Sequence, residues 1–532
     1  MTIELKPSYD VVISGAGPCG ATIANLLGMQ NVSTLLIDKE SDVIDIPRAV
    51  GMCDEGSRIL ASTGVFKHAP IDFVEVSRTN FTNAKRDPVF HFDMEKRINS
   101  NAMQRTFYQP QLENSIRKAF ERFSCVDFSP SSELTYFVDN GDSVDLTIQR
   151  NTSTENISCK YLIGCDGASS PIRKQLNIGF SGKTYRQDWL IIDIEKNPLD
   201  NDEIDFSIDP NRPGITLPLP HNKRRWEFVV KKDDNVDNLF SKETLSRLLA
   251  HWGDIDDMVL ERKAIYSFHA RTATRYTQGN VFLAGDAAHI TPPFAGQGMM
   301  AGLRDAQNLS WKLAGVIHQT LDKSVLDSYD AERVPQSKQI IKFAQMIGKL
   351  ILPQSRLSVW LRDAAITLMT ATGIYSKSSG MKMDKIPNHI NGSLLKNFWI
   401  SKTKGTGTWF PQYMLSYQGQ TRPSDEWMHD TFYIASWNHN GADKISTTTQ
   451  HRWSRLDGQF ISIYEHDSGK NLVDINHEYG EVFGTNDTLV IRPDKMIVIN
   501  CKSSDLESQL NVYLNRICID KSSSYKRTVA KT

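Results

Sequence analysis

The stretch Tyr9-Asp10-Val11-Val12-Ile13-Ser14-Gly15-Ala16-Gly17-Pro18-Cys19-Gly20 decides the fold. Its first six residues are a short β-rich run bounded by polar residues, the pattern of a buried parallel strand. The next six carry the spacing G-x-G-x-x-G and lead into ATIANLLGMQ, a helix-forming segment. In such a strand-turn-helix unit Gly15 permits a tight turn, Gly17 lets a phosphate approach the backbone, and Gly20 lets the helix lie close to the strand. Pro18 falls where the first turn of a helix tolerates a missing N–H. A second strand is predicted over 32–37 and ends in Asp38-Lys39, about 20 residues beyond the last glycine, where an acid meets the ribose of a dinucleotide. A lone glycine motif is weak. Set between strand and helix, with the acid on the next strand, it predicts a Rossmann-like dinucleotide-binding unit, without separating FAD from NAD.

A second half-site lies at residues 279–304, GNVFLAGDAAHITPPFAGQGMMAGLR. It reads as a strand over 281–284, a sharp turn at Gly285-Asp286, a rigid Pro292-Pro293 loop and a glycine-led helix. The Asp286 carboxylate can accept hydrogen bonds from sugar-like hydroxyls. The free amides around Gly296, Gln297 and Gly298, at the positive end of the helix dipole, can stabilise an anion. A reduced flavin is both hydroxylated and anionic. A single FAD spanning the two half-sites is the economical reading; the alternative is a glycine-rich loop that merely covers a sheet edge.

The totals narrow the class. A chain of 532 residues is too long for one core. Forty per cent apolar and 23% charged residues is ordinary globular composition, and 61 Lys plus Arg nearly cancel 62 Asp plus Glu. No global basic field exists to draw in nucleic acid or an anionic membrane. No apolar run approaches the ~20 residues of a membrane helix, and no signal-peptide pattern precedes the first strand. Seven cysteines without a CxxC pair point to reduced thiols in a cytoplasmic protein, with no metal site expected.

Arg48 follows Pro47 in a predicted loop, where it can neutralise a pyrophosphate, lie across a flavin ring, or simply be solvated. Asp54-Glu55 open a helix reaching Leu60. Residues 72–100 read as a β excursion. Gln109 stands just before an amphipathic helix whose apolar face holds Leu112, Ile116, Ala119, Phe120 and Phe123; it can reach a flavin or do no more than begin the helix. A strand over 160–164 ends in Cys165-Asp166-Gly167, and an aspartate there would point into the crevice of a doubly wound sheet. Residues 186–270, with ITLPLP and RRWEFVV, alternate short strands and turns suited to roofing a pocket. His269 can handle a proton near a substrate or be an ordinary structural histidine. Beyond Arg304 the pattern is helical, then mixed to about residue 395. From 396 β signals return, at 460–464, 488–491 and 496–499, as in a small α/β domain. The final KSSSYKRTVAKT reads as a frayed basic end.

GAGPCG, CDG at 165–167 and GDAAHITPPFAGQGMMAGLRDAQNLSWKLA at 285–314 resemble the three flavin motifs of the single-component, FAD-dependent aromatic hydroxylases. PRAVGMCDE, RRWEFVV, FHAR and LDSYDAERVPQ are similar to the branch acting on 3-(3-hydroxyphenyl)propionate. The resemblance is dense over 9–340 and thin afterwards. It implies a mixed α/β and α+β chain: a discontinuous FAD-binding domain (1–71, 101–185 and 271–345), an inserted substrate-binding β-sheet domain (72–100 and 186–270), a helical connection (346–395) and a thioredoxin-like domain without redox cysteines (396–532). It further implies that Gly15, Gly17, Pro18 and Gly20 hold the pyrophosphate and Asp38, with Lys39 beside it, the ribose. Arg48 and Gln109 would touch the rest of FAD, Asp166 both FAD and the nicotinamide, and Gly285-Asp286 the ribityl chain. Pro293, Gly296, Gly298 and Met299 would border the flavin ring. NADH or NADPH would reduce FAD, and dioxygen would form a C4a-hydroperoxyflavin that hydroxylates a small aromatic substrate. That chemistry needs a base for the phenol, for which His269 and then Asp54 are the candidates. A flavin dehydrogenase or reductase without oxygen insertion, or a flavin-based sensor, shares the same motifs. No WxWxIP segment is present for a halogenase, and a homodimer is left open.

Overall fold

Strand Ser8–Ser14 lies at the centre of a sheet whose parallel members run, side by side, Val126–Ser129, Thr34–Ile37, Ser8–Ser14, Ser153–Gly164 and Val281–Leu283. The structure is a computed structural model and describes residues 3–352 apart from 152, residues 405–519 apart from 467–470, and the isolated positions 364 and 368. Numbered by chain order, the five strands stand 3-2-1-4-5, with the reversal of direction between Ser8–Ser14 and Ser153–Gly164. In an open parallel sheet a ligand binds outside the carboxyl ends of the strands at that reversal. Ser14 is level with Ile37 and with Gly164, and Gly164 with Leu283. The residues that follow, Gly15, Asp38, Cys165-Asp166 and Gly285-Asp286, therefore leave the sheet along one edge.

Two glycines make this edge possible. Gly15 has φ +106°, and a Cβ there would lie 2.3 Å from the Cys165 carbonyl oxygen. A Cβ on Gly20 would lie 2.0 Å from the carbonyl oxygen of Gly15, so only glycine lets helix Pro18–Met29 start so close to the strand. Around Gly17 nothing lies within 4 Å of a built Cβ, which leaves open space in front of the turn.

Above this edge stands an eight-stranded sheet in the order His289–Ile290, Leu260–Ala273, Phe180–Ile194, Lys223–Val229, Gly214–Leu219, Ile204–Ser207, Arg78–Thr82 and Pro88–Asp93. Two of its strands, Phe180–Ile194 and Leu260–Ala273, run 15 and 14 residues, where the sequence pattern predicts only short ones. A register shift between Thr184 and Asp188 divides the longer strand's alternation while leaving the pairing on both sides intact. The helix expected from Leu112 begins earlier, at Gln109, because Pro110 sits in the first turn.

The chain then passes through helices Gly298–Ile317 and Ser328–Ile351. The helical connection expected over 346–395 falls outside the described residues beyond Leu352, except for 364 and 368, as does the basic end. A seven-stranded sheet follows, centred on Gln459–Tyr464, Tyr433–Trp437 and Thr488–Ile491, with helices Thr447–Ser454 and Leu506–Ile517. It is fastened to the first part of the chain by apolar and ionic contacts. Trp311 joins a core with Phe432, Trp453 and Leu510, and Arg58 is bidentate to Asp425 (2.6 and 2.8 Å). Among the described residues no helix is long and apolar enough to cross a membrane.

Candidate active site

The edge described above opens into a cavity of about 1130 Å³, larger than the roughly 300–1,000 Å³ of a site for one small ligand. Its walls include Gly15, Gly17, Pro18, Gly20, Asp38, Lys39, Arg48, Gln109, Asp166, Gly285, Asp286, Pro293, Gly296, Gly298 and Met299. At the far end they are Phe81, Phe92, Phe206, Ile215 and Leu217 of the eight-stranded sheet. One space thus joins the two glycine turns to an apolar chamber.

Each acid on this wall is held differently. Asp38 accepts from Ala16 N (2.6 Å) and Glu40 N (2.9 Å), so it braces the first turn and retains lone pairs for ribose hydroxyls. Asp166 accepts from Ile172 N (3.1 Å) through Oδ2, while its buried Oδ1 has no hydrogen-bond partner among the described residues. Burial raises the Asp166 carboxyl above its ordinary value. Asp286 is open to the cavity yet ringed by protein atoms, and that desolvation raises its carboxyl against the pull of His289 and Arg48. The turn that presents it is fixed from behind. Asp305 accepts from Gly285 N (3.0 Å), His289 Nε2 (2.6 Å) and Arg333 Nε (2.7 Å). Despite complete burial, His289 and Arg333 hold Asp305 below the usual carboxylate range. Asp305 and Arg333 sit within motifs noted in the sequence, but nothing in their spacing says that they meet.

Helix Gly298–Ile317 aims its start at the same space. Its first hydrogen bond runs from Ala301 N to Gln297 O (2.9 Å), so the amides of Gly298, Met299 and Met300 have no intrahelical acceptor. Beneath the Pro292-Pro293 loop, Phe294 packs against Tyr185, Trp189 and Phe268 with centroids 5.4–6.0 Å apart. Free amides, an orphaned buried carboxylate oxygen and unfilled space before Gly17 are what a bound flavin dinucleotide would use.

Gln109 borders the cavity but spends its polar atoms on the chain. Its Oε1 accepts from Arg48 N (2.9 Å) and Ala49 N (2.5 Å), and its Nε2 donates to Glu113 Oε1 (2.5 Å). It holds the Arg48 loop, whose other side is gripped by Arg225 Nη2 on the Pro47 carbonyl (2.7 Å). Gln109→Leu leaves two loop amides without their acceptor, a cost of about 1–3 kcal/mol; limited proteolysis of the FAD-loaded protein should then cut faster near Arg48.

The two candidate bases fare poorly. His269 does not border the cavity; it sits on strand Leu260–Ala273 with Nδ1 2.9 Å from Thr184 Oγ1. A histidine in an alternating strand is visible in the sequence, but the face it occupies is not. Asp54 does border the cavity, but it is buried and accepts from Asn99 Nδ2 (2.7 Å), which ties it to the wall. A carboxyl that the sequence reading passed over, Glu227 in RRWEFVV, lies on the cavity wall instead. Among the described residues no His, Cys, Asp and Glu cluster could hold a metal.

Residues 8–344 match the FAD binding domain family. The chain belongs to the FAD-dependent aromatic hydroxylases. Residues 407–516 of the hydroxylase match the HcaD C-terminal domain family. It is 30% identical over 540 residues to the 3-(3-hydroxy-phenyl)propionate/3-hydroxycinnamic acid hydroxylase of Klebsiella pneumoniae (strain 342), covering 97% of each chain. The protein of the same name from Burkholderia cenocepacia (strain HI2424) is 29% identical over 513 residues, covering 92% of this hydroxylase and 93% of that one. Among solved structures, the flavin-dependent monooxygenase PieE in complex with FAD and substrate superposes with a TM-score of 0.80 at 17% identity, covering 96% of the hydroxylase and 99% of that chain. Aklavinone-11 hydroxylase with FAD and aklavinone gives a TM-score of 0.77 at 18% identity, with the same coverage. The hydroxylase is thus an aromatic-ring monooxygenase whose cofactor is FAD, with NAD(P)H and dioxygen as the co-substrates of its class.

Proposed function

We propose that the hydroxylase inserts one oxygen atom into a phenolic ring ortho or para to its hydroxyl, on a substrate resembling 3-(3-hydroxyphenyl)propionate. The observation that carries this reading is the single cavity running from Gly15–Gly20 past Asp286 to the apolar chamber of Phe81, Phe92 and Phe206. When bound there, FAD supplies acceptance of hydride from NAD(P)H and activation of dioxygen. Gly15, Gly17 and Gly20 would admit the pyrophosphate, Asp38 the ribose and Asp286 the ribityl hydroxyls. The free amides of Gly298 and Met299 would stabilise negative charge on the reduced ring. The aromatic walls keep water from the reacting oxygen. In this reading residues 1–71, 101–185 and 271–345 bind FAD, and 72–100 with 186–270 hold the substrate. The C-terminal sheet, with parallel Tyr433–Trp437 and Gln459–Tyr464 beside antiparallel Thr488–Ile491, is thioredoxin-like without redox cysteines.

Arg48 is an exposed cation on the cavity wall, on a loop anchored by Gln109 and Arg225, where it would meet the reducing nicotinamide. Arg48→Ala should keep FAD but slow anaerobic reduction by NADH or NADPH roughly tenfold, about 1.4 kcal/mol; unaltered stopped-flow reduction would count against the role. The function itself is tested with FAD-loaded protein, 3-(3-hydroxyphenyl)propionate and 3-hydroxycinnamate under ¹⁸O₂. Substrate-stimulated NAD(P)H oxidation with label in the product supports it. Oxidised product without label would favour a dehydrogenase.

A further inference from the structure

The eight-stranded sheet turns an apolar patch toward the chamber, bordered by the Arg225–Asp193–Arg262 cluster. Its register places Phe81, Phe206, Ile215, Glu227 and Ile191 in one row across five strands. Phe81 and Phe206 are stacked with centroids 5.1 Å apart. Four of the five, Phe81, Phe206, Ile215 and Glu227, border the cavity, and Glu227 alone in the row is charged.

Among the described residues no donor hydrogen-bonds to this carboxyl. The nearest cation, Arg225 on the same strand, brings Nη1 to 3.9 Å, beyond hydrogen-bond reach. Arg225 is committed elsewhere: Nε and Nη2 grip Asp193 (2.6 and 2.8 Å), and Nη2 and Nη1 bind the Pro47 and Arg48 carbonyls (2.7 and 3.3 Å). Asp193, on the neighbouring strand Phe180–Ile194, also has Arg262 Nη1 at 3.7 Å from the strand beyond. The strand on the other side places Ile215 opposite Glu227 and offers no charge there. A desolvated carboxyl facing hydrocarbon costs stability, so its position fits a ligand better than a scaffold.

We propose that Glu227 is the catalytic base of the hydroxylation, accepting the proton of the substrate's ring hydroxyl. The assignment rests on the reading of this site as a phenol hydroxylase. The phenol O–H bond breaks as an O–H bond to Glu227 forms, and the electron pair left on oxygen enriches the ortho and para carbons. The co-substrates supply the two-electron oxidation. As the C–O bond forms to the ring carbon, the O–O bond of the dioxygen reduced at the expense of NAD(P)H breaks. Its second oxygen leaves as water, taking up the proton that the ring carbon loses as aromaticity returns. Glu227 then returns its proton to the ring oxygen. Burial pushes the Glu227 carboxyl up to about 6, against the pull of Arg225 and with a further push from Asp193. At neutral pH it is ionised, yet close enough in basicity to share a proton efficiently.

The test compares wild type, Glu227→Gln and Glu227→Asp as FAD-loaded proteins, with 3-(3-hydroxyphenyl)propionate and a ring-fluorinated analogue acidic enough to ionise in solution. Glu227→Gln should keep its FAD content and lose about 100-fold in the rate of labelled-product formation. The rise of kcat/KM with pH through about 6 should vanish in it and persist, at a lower rate, in Glu227→Asp. The fluorinated phenol should recover most of the Gln variant's rate, since it needs no base. An active wild type with a Gln variant of unchanged rate and pH profile overturns the assignment alone, and so does an equal loss on both phenols. A wild type forming no labelled product from either phenol overturns the phenol-hydroxylase reading and the assignment with it.

Discussion

Glu332→Ala should be the most destabilising single substitution on the face that joins the C-terminal sheet to the rest. Glu332 is fully buried and accepts from Arg492 (2.7 and 3.0 Å), Lys312 Nζ (2.9 Å) and Asn308 Nδ2 (2.7 Å). Arg492 also pairs with Asp494. Lys312 and Asn308 belong to the helix that begins at the cavity, whereas Arg492 and Asp494 follow strand Thr488–Ile491 of the C-terminal sheet. Truncating the carboxylate leaves two buried cations facing one another across that junction, and breaking a buried pair in this way costs about 3–5 kcal/mol. The expected readout is a thermal transition lowered by roughly 10 °C, with earlier proteolytic release of residues beyond 405. An unchanged transition would show that water reaches the junction.

The same site sets an acid limit. Although burial opposes ionisation, Arg492 and then Lys312 hold the Glu332 carboxyl well below the usual range. Its folded value is thus below its unfolded value of about 4.3. The stabilisation is complete above that value and is lost as pH falls through the acid range. Wild type should therefore lose stability steeply below about pH 4, while Glu332→Gln, weaker at neutral pH, should show a flatter acid limb.

What could be read in the sequence is position along the chain. The strand, glycines and helix at 9–29 appear as Ser8–Ser14 and Pro18–Met29, and Asp38, Asp166 and Asp286 stand out because each closely follows a parallel strand. Register then brings them to one edge, as strand-end aspartates in a doubly wound sheet must come. What could not be read is engagement. Whether Gln109 faces a ligand or its own backbone depends on a loop 60 residues earlier. His269 and Glu227 are both polar residues in apolar strands, and only the long pairing of Phe180–Ile194 shows which of them faces the cavity. Glu332 meets Arg492 across 160 residues of chain, a distance over which no periodicity carries information.

Asp286→Ala should weaken FAD binding by about 100-fold or more. The carboxylate receives no hydrogen bond from the protein among the described residues, though Asp305 and Arg333 lock the turn that presents it. Its raised carboxyl is the mark of a charge held without donors. Ribityl hydroxyls would be those donors, and hydrogen bonds to a charged group contribute about 1.5–3 kcal/mol each, so losing two costs 100-fold or more in affinity. Asp286→Asn, which keeps one accepting oxygen, should lose less. Flavin retained on purification and the Kd from titrating apoprotein with FAD give the readout; full retention with an unchanged visible spectrum would refute the role. The apoprotein provides the control, because a scaffold residue and a ligand residue respond oppositely. A carboxylate that braced the fold would, on removal, lower the melting temperature of apoprotein and holoprotein alike. One that waits in a desolvated wall for its ligand burdens the empty protein, so apo Asp286→Ala should melt at or above wild type while binding FAD poorly.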